Sequence, residues 1–103
     1  MDKLRGFQRK YLRSLAHNIK PVVLIGQKGM TESVISSVDE SLNKHELIKI
    51  KFIEFKEKTK KKEISEIIEK KTLSEMVGMI GHIAIFYRQN ADPEKRNIVL
   101  PKK

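Results

Sequence analysis

The stretch Pro21 to Thr31, P-V-V-L-I-G-Q-K-G-M-T, constrains this chain more than any other. Val22, Val23, Leu24 and Ile25 form an unbroken apolar run rich in β-branched side chains, the pattern of a strand buried on both faces. Gly26 breaks the run, and Gly29 lets the backbone turn without a Cβ penalty. Thr31 followed by Glu32 reads as an N-cap with an acid in the first turn of a helix. A strand, a G-x-x-G turn and a helix start therefore follow one another. Backbone N–H groups and the positive end of a helix dipole converge at such a corner, which suits it to an anion. Gln27 and Lys28 add a donor and a charge, and phosphate is the expected guest.

The rest of the chain bounds what this corner serves. With 103 residues the chain builds one domain and one core, and no domain linker or internal repeat is visible. Lys plus Arg number 22 against 13 Asp plus Glu, a formal charge of +9, the electrostatic footprint of a nucleic-acid binder. An acidic membrane is the rival partner, but aromatic content is 6%, Trp is absent, and no apolar run approaches the about 20 residues that span a bilayer. The charged, amphipathic N-terminus is unlike a signal peptide, so a cytoplasmic protein is expected. Without cysteine there is neither disulfide nor thiolate zinc site.

Taken in order, Leu4, Phe7, Tyr11, Leu12 and Leu15 form one helical stripe in a first helix from Leu4 to His17, with Tyr11, Leu12 and Leu15 expected in the core. Its other face carries Arg5, Arg9, Lys10 and Arg13 with no acid among them. A solvated face is the plainer reading; a phosphate-facing one is favoured because acids are normally interspersed. Lys20 and Pro21 open the first strand. A second helix spans about Glu32 to Lys44, marked by Val34, Ile35, Val38 and Leu42. Strict alternation in Ile48-Lys49-Ile50-Lys51-Phe52 makes a second strand, parallel to the first, with the lysines facing away from the core.

Lys56 to Lys62, K-E-K-T-K-K-K, has no periodicity and reads as a strand end and mobile loop. Ile64, Ile67 and Ile68 mark a short third helix whose charges run from acidic Glu63 and Glu66 to basic Lys70 and Lys71, matching the helix dipole. Met76 to Ile80 and Ile83 to Tyr87, separated by Gly81-His82, form a hairpin that makes the sheet mixed. A polar tail begins at about Gln89, in which Ile98 to Leu100 is a weak candidate for an edge strand.

Chemistry beyond anion binding finds no support. Gly78 to Gly81 is a second G-x-x-G, but its centre is apolar and it falls in the hairpin. Neither a Walker motif nor a G-x-S-x-G elbow is present. His17, His45 and His82 are scattered without sequence partners, and the acids are not paired at strand ends, so no metal site, two-metal nuclease or other enzyme is expected.

Helix 1 together with His17 to Thr31 (H-N-I-K-P-V-V-L-I-G-Q-K-G-M-T), His45 to Lys51 (H-E-L-I-K-I-K), Gly81 to Arg88 (G-H-I-A-I-F-Y-R) and Ile98 to Pro101 (I-V-L-P) resembles the bacterial YhbY family, the stand-alone form of the CRM domain. The resemblance covers nearly the whole chain. It implies an α+β domain of order α-β-α-β-α-β-β with a mixed four-stranded sheet, similar to the C-terminal domain of translation initiation factor 3. It also implies RNA binding through a loop analogous to that of KH domains and association with large-ribosomal-subunit precursors. No cofactor, small-molecule substrate or membrane is expected, and a monomer is. Splicing-type work on structured introns is the alternative; a single domain without appended segments favours the ribosome. Gly26, Gln27, Lys28 and Gly29 match the family's loop, and Arg5, Arg9, Lys10 and Arg13, joined by Lys20, its basic surface. The lysine run at Lys56 to Lys62 departs from the family pattern.

Overall fold

The computed structural model describes residues 3–26, 29–53 and 58–102. Along the chain lie α1 (Gly6–Ala16), β1 (Pro21–Ile25), α2 (Glu32–His45), β2 (Leu47–Phe52), α3 (Lys58–Thr72), β3 (Glu75–Ile80), β4 (Ile83–Tyr87) and a 3-10 turn at Pro93–Lys95. The sheet order is β1-β2-β4-β3. β1 and β2 are parallel, and β2 with β4 and β4 with β3 are antiparallel, so the sheet is mixed as the hairpin requires.

Period-two alternation sends the strands' side chains to two separate cores. Ile48, Ile50 and Phe52 of β2 join Val23, Ile25, Ala84 and Phe86 on one face, under Val38 and Leu42 of α2 and Ile64 and Ile68 of α3. On the other face Leu47, Val77, Ile85 and Tyr87 pack against Leu12 and Ala16 of α1, with Ile98 and Leu100 of the tail alongside. One helix thus covers one face and two the other.

That asymmetry corrects the expectation that the first strand is buried on both faces. α1 packs on β3, β2 and β4 and leaves β1 uncovered, and β1 is an edge strand. Val23 and Ile25 are buried, whereas Val22 and Leu24 are 48% and 59% exposed. Tyr11 and Leu15, expected in the core, flank the core stripe of α1 at 38% and 36% exposure.

The lysine run is the second correction. Lys58 to Lys62 are not a loop but the start of α3; Lys56 lies outside the described residues. Lysine has good helix propensity, and tertiary contact supplies the rest. Lys61 is 4% exposed, its stem buried and its Nζ donating to the Gly81 carbonyl at 2.9 Å in the β3–β4 turn. The acid-to-basic order therefore suits the dipole only in the C-terminal half of α3, whose first turn holds no acid. Ile98 to Leu100 form no strand; Ile98 and Leu100 dock as apolar plugs, and Val99 is 84% exposed.

Candidate nucleic-acid interface

The corner after β1 has the geometry that its glycines foretell. The Gly29 amide donates to the Gly26 carbonyl at 2.9 Å, closing a four-residue turn. Gly29 sits at φ 66, in the left-handed region where a β-branched residue is strained. Gln27 and Lys28 lie outside the described residues. Thr31 caps α2: its Oγ1 accepts from the Val34 amide at 3.1 Å, and Glu32 occupies the first turn.

α1 lies on the opposite side of the sheet from α2, and its cations divide into two groups. Arg9 and Arg13 turn toward the edge strand β3. Arg9 donates to the Glu75 carboxylate at 2.7 Å, and Glu75 also accepts from the Leu4 amide, tying the start of α1 to β3. The Arg13 guanidinium donates to the Val77 carbonyl at 2.9 Å. A Cβ on Gly78 would fall 2.7 Å from the Arg13 Cδ, so the second G-x-x-G begins with the glycine over which Arg13 crosses the strand. Reversing Arg9 and Arg13 therefore disturbs the fold, contrary to what an exposed basic face implies. Arg5, Lys10 and Lys20 are exposed, and Lys10 and Lys20 make no ion pair among the described residues.

Those cations lie in a chain segment without a single acid. Between Asp2 and Glu32 no Asp or Glu occurs, while Lys3, Arg5, Arg9, Lys10, Arg13, Lys20 and Lys28 do. β2 and β4 contain no acid either, and Glu75 of β3 is consumed by Arg9. The remaining acids of the described helices are on α2 and α3, across the sheet. α1 and the four strands thus hold a single acid, Glu75, whereas α2 and α3 carry charges of both signs.

The model of the CRS1 / YhbY (CRM) domain matches residues 4–88. The chain belongs to this family. It is 39% identical over 103 residues, the full length of both chains, to a protein of Haemophilus influenzae named RNA-binding protein. It is 32% identical over 98 residues to Probable RNA-binding protein YqeI of Bacillus subtilis, covering 95% of this chain and 99% of that one. The solution structure of the hypothetical protein SAV1595 from Staphylococcus aureus shares the fold, with a TM-score of 0.82 and 39% identity over 96% of this chain and all of that one.

In this CRM domain the residues that sequence reasoning missed are anchors. Glu46, which ends α2, is fully buried and holds φ 62. Its carboxylate accepts from the amides of Asn90 at 2.7 Å, Asn97 at 2.7 Å and Ile98 at 3.2 Å, binding the tail to the domain. Arg88 donates to the side chains of Asp39 and Asn43 on α2 and to the Thr72 carbonyl ending α3, so one guanidinium joins both helices. The H-E-L and F-Y-R segments contain these two residues, but nothing in the sequence shows which amides or carbonyls they meet.

Tyr87 is a consequence of the same corner. Its hydroxyl is buried with no hydrogen-bond partner among the described residues. Burial first, then the Glu46 charge, pushes its pKa up from 10.0 to about 12, against a smaller opposing pull from Arg96. Because the folded value lies above the unfolded one, the contribution is intact below pH 10 and is lost as pH rises toward 12. Tyr87→Phe is expected to leave the neutral-pH melt unchanged or raise it by up to about 1 kcal/mol, since it deletes an unpaired buried hydroxyl. The variant should also flatten the alkaline fall in stability between pH 10 and 12; a loss above about 1 kcal/mol at pH 7 would mean that the hydroxyl has a partner.

Proposed function

We propose that this CRM domain is a non-enzymatic, cytoplasmic RNA-binding protein that associates, as a monomer, with precursors of the large ribosomal subunit and assists their assembly. In this reading RNA backbone is held by the Gly26–Gly29 turn, with Gln27 and Lys28, and by the exposed cations Arg5, Lys10 and Lys20, Arg9 and Arg13 adding charge at the β3 edge. The observation that carries it is the acid-free segment from Lys3 to Thr31, folded into α1 and the β1-turn-α2 corner. The names of the relatives support RNA as the partner class, and no helix among the described residues is long and apolar enough to cross a membrane.

The test has two arms. In a low-salt gradient the protein is expected to sediment with large-subunit precursors and to leave them as salt rises, because each phosphate neutralised on single-stranded RNA adds about 0.7 to the slope of log affinity against log salt. Sedimentation with small subunits, or salt-insensitive binding, would overturn the assignment. Lys28→Glu is expected to change stability by no more than about 0.5 kcal/mol while weakening RNA binding similarly across sequences, since a backbone clamp carries no sequence information. Unchanged affinity in this variant would remove the turn from the interface.

A further inference from the structure

Because α1 stops short of β1, an open groove of about 680 Å³ lies between them. Its apolar wall is formed by Tyr11, Leu15, Ile19 and Val22, closed at one side by Ile98 and Val99 of the tail. Lys20, His45 and Asn97 bring polar groups to its margin. Tyr11 is one of only two tyrosines, and unlike the fully buried Tyr87 it keeps 38% of its surface exposed.

The groove opens onto the uncovered face of β1. From Val22 that face runs past Leu24, 59% exposed, to the Gly26–Gly29 turn, and the whole strand at about 3.3 Å per residue is roughly 17 Å long. Lys51 of β2 is in register with Leu24, and Lys49 with Pro21, so two lysines flank this apolar track on the same side of the sheet. No acid lies on α1, β1 or β2. A concave apolar platform whose charged neighbours on α1, β1 and β2 are all cations, continuous with a phosphate-suited turn, fits a polyanion whose uncharged rings can leave its charged backbone. Bases unstacked from single-stranded RNA have that property, whereas a duplex keeps its bases stacked inside.

We propose that the groove between α1 and β1 takes an unpaired base of single-stranded RNA, stacked on Tyr11 beside Leu15 and Val22, with Lys20 at the adjoining phosphate and the backbone leading along β1 to the Gly26–Gly29 turn. The proposal rests on the RNA-binding reading and adds to it the form of RNA that the domain selects. Asn97 and His45 stand where they can meet the edge of the base.

The test titrates the full chain with a ten-nucleotide oligouridylate and with a ten-base-pair RNA duplex at the same salt. Tyr11→Ala is expected to lose about 5- to 150-fold in affinity for the single strand, the range of one base-aromatic stack, and less than about 2-fold for the duplex. Tyr11→Phe keeps the ring and is expected to bind both as the parent does. With 4-thiouridine in the oligonucleotide, ultraviolet crosslinks are expected on the peptide containing Tyr11; this readout needs no variant. The proposal fails if Tyr11→Ala binds the single strand normally, if it loses both RNAs equally, or if crosslinks avoid that peptide. In those cases salt-dependent binding by the parent leaves the RNA-binding reading standing, whereas no binding to either RNA brings down both. Dimerisation that Tyr11→Ala abolishes would assign the groove to a second copy.

Discussion

Glu46→Ala is expected to lower the unfolding free energy by about 3–5 kcal/mol, because it removes the one carboxylate that three tail amides share. The carboxylate is fully buried and is the acceptor for the amides of Asn90, Asn97 and Ile98. Hydrogen bonds to a charged group contribute about 1.5–3 kcal/mol each, though bonds sharing one carboxylate do not add in full. A non-glycine residue at φ 62 costs on the order of 1 kcal/mol, which alanine would still incur without the compensating bonds. The backbone amide of Glu46 donates to Leu42 and its carbonyl accepts from Arg88, so main-chain bonding alone cannot replace the side chain. Loss of the anchor also frees Ile98 and Leu100 from the second core and opens one wall of the groove. Thermal melts measure the first effect and limited proteolysis between residues 89 and 97 the second. A melt within about 1 kcal/mol of the parent would show that the tail is held by its apolar plugs instead.

The basic surface should divide into two kinds of residue under charge reversal. Arg9→Glu places a second carboxylate against Glu75, whose side chain is only 12% exposed, and is expected to cost about 2–3 kcal/mol of stability. Lys10→Glu with Lys20→Glu touches no ion pair among the described residues and is expected to stay within about 0.5 kcal/mol of the parent. For RNA the ranking inverts. The double lysine variant removes two cations and adds two anions in the acid-free segment, so affinity is expected to fall by about 10- to 100-fold and the salt slope by about 1 to 2. Melts and salt-dependent titrations on both proteins separate these effects. Normal RNA affinity in the double lysine variant would show that Lys10 and Lys20 are only solvated.

Element type was readable wherever hydrophobic period and backbone chemistry agreed. The strand, glycine turn and capped helix of Pro21 to Val34 follow from apolar spacing, Gly29 and Thr31, and each local preference matches the final fold. The Gly81-His82 turn of the hairpin is likewise local, and Gly81 takes the positive φ that such a turn needs. The Lys58 to Lys62 turn of α3 was not readable, because a run of lysines lacks periodicity and its helical form depends on Lys61 reaching a carbonyl in a distant hairpin.

The order of helices and strands, the parallel first pair, the hairpin and the acid-free segment from Lys3 to Thr31 are all legible in the sequence. These depend on side-chain period, turn conformation and composition, which act over a few residues. Packing of the whole domain sets α1 across β3, β4 and β2 and leaves Val22 and Leu24 of β1 open. The same packing holds Arg9 and Arg13 at β3 while Lys10 and Lys20 remain exposed, and lets Glu46 gather three amides from the tail. An apolar run reports that a strand is buried somewhere, but which face is covered depends on where one helix lands across the whole sheet. A charge likewise carries no record of its partner until residues 66 or 51 positions apart are brought together, as Arg9 with Glu75 and Glu46 with Asn97 are.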